Sequence, residues 1–313
     1  MYVNFSRIAL LAALAAAAAG CNQPAPSGTA SAPVAAPVAP STPDATIAYS
    51  VKALRNNNLA ALLENTLPPG ELAKVKAEWG KGTQEPITDD DRKQFNETMV
   101  KLTAPDAEAK LYTQIEPQLK DFDQKAAQQM PMMIAMGQGF AQSAIQQSKE
   151  LNDQQKQQAQ ALLDSVAKWA QSTRFTDPAL VKGAIAIVCK AARDLNLKSI
   201  DEARALTYDQ AMQKVGIVLG ATKQVLAVYG LNVDKALDSI KVEPVSTAGD
   251  TAKVKVTYTA FEQTFTTDND LVRVSGKWYS KQAIDQWNKH QQEMAGNAAP
   301  AEQNKAEAAA SAK

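Results

Sequence analysis

The hydrophobic period of this chain changes once, just after Ile240, and that change limits what the chain can fold into. Before it, apolar residues recur every three or four positions, as in a helix with one buried face; after it they alternate, as in a strand with one buried face. In Lys253-Val254-Lys255-Val256-Thr257-Tyr258-Thr259 the alternation is clean, with Val254, Val256 and Tyr258 on one side. The pattern predicts a mainly α-helical, bundle-like body over 44–240, then a small antiparallel β-meander and a final helix over 241–294, α+β overall.

Within the meander, strands are expected at Lys241–Ser246, 253–259, Phe261–Thr266 and Leu271–Val274. Ala248-Gly249-Asp250, Asp268-Asn269-Asp270 and Ser275-Gly276-Lys277 supply the turns. Pro244 has no N–H to donate and belongs on an edge strand. Ile284, Trp287 and Met294 give the last helix an apolar side to lay on the sheet.

The helical part carries its own punctuation. Leu67-Pro68-Pro69-Gly70 breaks the chain, and Thr88-Asp89-Asp90-Asp91, Ser199-Ile200-Asp201-Glu202 and Thr207-Tyr208-Asp209-Gln210 read as capped helix starts. Phe95, Met99 and Leu102 share one face, as do Leu111, Ile115, Leu119 and Phe122, with a kink expected at Pro117. A Gln-rich helix follows Asn152, with Leu162, Val166 and Trp169 inward. The helix from Thr176-Asp177-Pro178 is apolar around most of its circumference, which places it centrally. In the next, Met212, Val215, Leu219, Leu226 and Tyr229 form a face, and Gly216 and Gly220 leave room for another backbone.

The amino terminus reads differently. One positive charge, Arg7, is followed by apolar residues Ile8 to Ala19 and then Gly20-Cys21. That run is too short to span a bilayer, which takes ~20 residues, and has the order of an export signal. Ala18-Ala19-Gly20-Cys21 resembles the lipobox of bacterial lipoproteins, with Ala18 where that family usually has Leu. The resemblance implies a signal peptide over 1–20, cleavage before Cys21, and acyl chains on Cys21 that anchor the protein in a membrane. Asn22 stands where Asp would signal inner-membrane retention, so the outer membrane is the expected location, with the body in the periplasm. Residues 21–43, rich in Pro, Ala, Ser and Thr, are then a tether, and residues 295–313 a low-complexity tail.

Charge and histidine content exclude several functions. Thirty-three Lys+Arg balance 33 Asp+Glu, with no basic block, which argues against nucleic acid. The single histidine, His290, sits in a polar stretch, so catalytic triads and multi-histidine zinc sites are not expected. With Cys21 lipidated, Cys189 is left alone in an apolar run and is expected to be a buried, inert thiol.

Two groups remain as candidate ligand or partner surface. Met130, Met132, Met133 and Met136 cluster on one predicted helix. Thioethers suit soft metals, but flexible Met side chains more often fill gaps in a core or groove, and Ala135, Gly139 and Ser143 at spacing four favour the core. Trp278 and Tyr279 are adjacent on a strand, so one is expected to face the core and the other outward. The phrase Val274-Ser275-Gly276-Lys277-Trp278-Tyr279 resembles the end of the cystatin-like/NTF2-like sheets of bacterial lipoproteins. That resemblance implies a curved sheet on a helix and carries no catalytic residue over.

No cofactor and no metal site are expected. The leading expectation is a lipid-anchored, non-enzymatic interaction or structural protein, partnered by the membrane and by another envelope protein. A binding module for a small apolar or amphiphilic ligand is the alternative. A hydrolase using only Asp/Glu is the third reading, and it needs two carboxylates facing one cleft.

Overall fold

The structure is a computed structural model that describes residues 40–81, 86–149, 151–289 and 292. The expected signal peptide, Cys21, most of the tether, His290, Met294 and the tail lie outside the described residues. The fold is mostly helical α+β, with a four-stranded antiparallel meander of order β1-β2-β3-β4 near the C-terminal end.

The helices are α1 (Pro43–Arg55), α2 (Leu59–Thr66), α3 (Glu71–Glu78), α4 (Asp89–Thr103), α5 (Ala107–Gln147), α6 (Asp153–Ser172), α7 (Pro178–Leu195), α8 (Ile200–Ala205), α9 (Tyr208–Val228) and α10 (Val233–Asp238). Their starts are chemically specified. Thr88 with Asp91, Asn152 with Gln155 and Thr207 with Gln210 form reciprocal capping boxes. Ser199 caps the Glu202 N–H, whereas the Glu202 carboxylate reaches back one residue further, to the Lys198 N–H at 2.7 Å.

Helix α7 is the centre, as its apolar circumference predicts. Ile187, Val188 and Ala191 meet Ala221 and Val225 of α9; Val181, Ile185 and Cys189 meet Ala107 and the start of α5; Ala192 meets Phe95 and Met99 of α4. Arg193 ties three elements together: its guanidinium takes both Glu108 oxygens, at 2.7 and 3.1 Å, and donates to the Ala104 carbonyl at the end of α4. Cys189 is fully buried, and burial pushes its thiol up to about 11.

Gly216 and Gly220 provide the expected close approach. The neighbour is the α1–α2 turn, where Asn57 takes a left-handed conformation with φ of 57°. Below it the buried Lys223 ammonium donates to the Leu54 and Arg55 carbonyls at 3.1 and 2.9 Å and to Asp234 at 2.5 Å. Arg55 in turn pairs with Asp234 and Asp238.

The strands are β1 (Lys241–Ala248), β2 (Thr251–Ala260), β3 (Gln263–Val274) and β4 (Lys277–Ser280). One face buries Ala252, Val254, Leu271 and Trp278 against Ile47 of α1. Pro244 lies on the edge strand, beside a register shift. Trp278 Nε1 donates to the Ser41 carbonyl at 3.3 Å, so the packed structure begins slightly before residue 44.

The turn expected at Asp268-Asn269-Asp270 is absent. Those residues pair with Lys255, Val254 and Lys253 within one long strand, β3, and Lys253 meets Asp270 at 3.3 Å. Cross-strand opposite charges favour continuing the ladder there. The reversal falls at Phe261-Glu262, both with positive φ, 49° and 63°. Val166 and Val215, expected inward, are exposed.

Candidate functional site

Helix α5 runs 41 residues through both Pro117 and Pro131, about 60 Å at 1.5 Å per residue. Leu111, Tyr112, Ile115 and Leu119 rest on α7. Beyond them α5 pairs with α6 as a helical hairpin, and no described side chain from Glu108 to Lys149 is fully buried. The hairpin is fixed where α6 ends. Trp169 Nε1 donates to the Tyr229 carbonyl at 2.6 Å, Phe175 sits edge-on to Trp169, and Asp123 of α5 accepts from Thr176 and Arg174 at 2.6 and 3.2 Å.

On this segment Met130, Ile134, Gln138, Ala141 and Ile145 are half-buried, at spacings of three and four, on the side that meets α6. The opposite face is open. Met132, Met133, Met136 and Phe140 are 75, 59, 58 and 72 % exposed. The core packing expected from Ala135, Gly139 and Ser143 is therefore wrong: all three are exposed, and nothing within 4 Å would meet a β-carbon on Gly139. The small residues lie beside the apolar stripe, not under a neighbouring helix of this chain. Phe140 was not singled out from the sequence, although its four-residue spacing from Met136 was there to find. A further property of the segment concerns charge: residues 126–148 contain no charged side chain.

Trp278 and Tyr279 do not form a surface. They are 3 and 5 % exposed. They do point to opposite faces, as adjacent strand residues must, but both faces are covered at this end of the sheet. Trp278 joins the α1-facing cluster, with the Arg273 guanidinium 5.5 Å from its ring. Tyr279 pairs with Val272, and residues 281–289, helical like the segment expected to cover the sheet, bury Ile284.

Open clefts of about 170, 280 and 330 Å3 lie on the described surface. The second joins the Met-rich segment: Phe122, Met130, Pro131, Ile134 and Phe175 line it, with Asp123, Arg174 and Thr176 at its rim. Its volume falls just below the ~300 Å3 from which ligand pockets usually start. The carboxylates of these clefts are mostly engaged: Asp194 with Lys190, Asp123 with Arg174, Asp238 with Arg55. Asp44 and Asp238 both line the third cleft. No cluster of three or more His, Cys, Asp or Glu placed to hold a metal occurs among the described residues. No described helix is long and apolar enough to cross a membrane. No protein-family model, curated protein or solved structure matches the chain.

Proposed function

We propose that this chain is a lipid-anchored protein of the bacterial envelope, held by Cys21, whose body works by contact with another protein rather than by catalysis. The single observation behind the contact role is the open face of α5, where Met132, Met133, Met136 and Phe140 stand exposed on a helix whose other side is already occupied. Exposing large apolar side chains together costs solvation free energy, and such patches usually serve as contact sites. Met suits that use, because its unbranched, polarisable side chain adapts to a partner. The anchoring rests on the lipobox-like Ala18-Ala19-Gly20-Cys21 and the Pro/Ala-rich segment after it.

Two experiments test the two halves. Mass spectrometry of the mature N-terminus should find acylated Cys21, and Cys21→Ser should release the protein from the membrane fraction. A Cys21→Ser protein that still fractionates with membranes overturns the anchor. Affinity capture from detergent-solubilised envelope should recover a protein partner with the wild type and lose it with Met136→Lys. Equal recovery by both removes the α5 face from the proposal.

A second reading is favoured by the apolar lining of the cleft at Phe122 and Phe175. A small amphiphile could place its tail against Met130 and Ile134 and its head near Arg174. Binding of a fluorescent fatty acid, weakened by Ile134→Asp, would support it. Absence of saturable binding would dismiss it.

A further inference from the structure

We propose that the partner of the α5 face is a second copy of this chain, packed antiparallel with Met136 on the two-fold axis. The inference rests on reading that face as a contact surface and adds its occupant.

The sequence on the face is symmetric about Met136. An α-helix turns ~100° per residue, so Gln129, Met132, Met133, Met136, Gly139, Phe140 and Ser143 fall on one side, and each is exposed. Two identical antiparallel helices centred on Met136 pair positions equally spaced about it. Met132 then meets Phe140 of the other copy, a thioether against an aromatic ring. Met133 meets Gly139, a large side chain over a position with nothing within 4 Å of where a β-carbon would stand. Gln129 meets Ser143 at the rim, polar against polar. A two-fold contact needs this kind of self-complementarity, because each side must be its own partner. A parallel pairing would instead set Phe140 on Phe140 and Gly139 on Gly139, a crowd beside a gap.

The face is also free of charge. Across a dyad a charge near the axis meets its own copy, and a face carrying one sign of charge repels itself. Residues 126–148 carry none, although 21 % of the whole chain is Asp, Glu, Lys or Arg. The same neutrality disfavours a membrane surface as the occupant, since helices that lie on anionic lipid usually border their apolar face with Lys and Arg.

Area sets the strength. At roughly 200 Å2 per side chain, four residues exposed as these are offer on the order of 500 Å2 per copy. That gives about 1,000 Å2 in total, the low end for specific contacts, so a weak, reversible dimer is expected. Confinement of both copies to one membrane would raise its occupancy.

The test uses the full chain, produced with its N-terminal segment in bacterial cells, in two forms carrying tags of different size. Single cysteines are placed at the exposed positions and treated with a short bismaleimide; wild type reports any background from Cys21 and Cys189. Met136→Cys should yield an adduct containing both tags. Met132→Cys co-expressed with Phe140→Cys should give several-fold more mixed adduct than either variant alone. Stronger adducts from Met132→Cys alone and Phe140→Cys alone would overturn the antiparallel pairing. Adducts only to a different polypeptide would overturn the second copy while keeping α5 as a contact surface. No protein adduct at any position, with the Met136→Cys thiol shielded by phosphatidylcholine vesicles, would overturn both.

Discussion

The backbone oxygen of Asn57 lies 2.5 Å from where a β-carbon on Gly216 would stand. Gly220, one turn on, faces the amide of the same residue, its would-be β-carbon 2.8 Å from Nδ2. Helix α9 therefore needs glycine at 216 because a backbone passes there, and less strictly at 220, where a side chain can give way.

The space beside a helical glycine decides the sign of its replacement by alanine. Gly216→Ala must push the α1–α2 turn away and should destabilise by about 1–3 kcal/mol. Gly137→Ala, in the open part of α5, meets nothing within 4 Å and should stabilise by ~0.5–1 kcal/mol, the ordinary helix-interior preference for alanine. Urea unfolding of the two variants, read as shifts in midpoint at constant slope, measures both.

Lys223 is 5 % exposed and is the common partner of the α1 carboxyl end and Asp234. Lys223→Met keeps the aliphatic stem but leaves the Leu54 and Arg55 carbonyls short of their donor. A loss of roughly 1–3 kcal/mol is expected from the unpaired buried carbonyls, while Asp234, a third exposed, keeps Arg55 as its partner. A thermal midpoint within a degree or two of wild type would show that the ammonium contributes little.

Cys189 should be silent toward thiol reagents in the native protein. It is fully buried, and its thiol sits near 11 rather than 9.0, so almost no thiolate exists at pH 8. Ellman's reagent should react with it only at the rate of unfolding. Because the folded value is raised, the stability this site contributes is intact below the ordinary value and declines as pH climbs from about 9 toward 11.

The Glu108 carboxyl is held below its ordinary 4.5 by its paired hydrogen bonds to Arg193. The sign is opposite to that of the thiol: the pair stabilises above pH 4.5 and is lost as pH falls through the lowered folded-state value. Both side chains are about a third exposed, so solvent screening should keep the effect below about 1 kcal/mol. Glu108→Gln should lose that amount at pH 7, and the difference from wild type should narrow as pH falls below 4.5.

Much of the architecture was legible because local chemistry and burial agree. The capped starts at Thr88 and Thr207, the central α7, the close approach at Gly216 and the strand alternation around Val254 all follow from residue type and spacing. The failures came where neighbours decide. Asp268-Asn269-Asp270 has turn composition, yet lysines across the strand keep it extended; Phe261-Glu262 has no such composition and makes the turn. The Met cluster fitted a core, and only the position of α6 determines which side of α5 is left open. Alternation sends one of Trp278 and Tyr279 to the outer face of the sheet, but it says nothing about what covers that second face.

The hydrogen bond from Trp278 to Ser41 joins residues 237 positions apart, and Ile47 packs in the same cluster. Helix α1, the first of the described helices, thus waits for β4, the last of the described strands, before its inner side is complete. A chain released early, without residues 277–280, should leave that side uncovered and fall to proteolysis from its amino end, the end farthest from the missing piece.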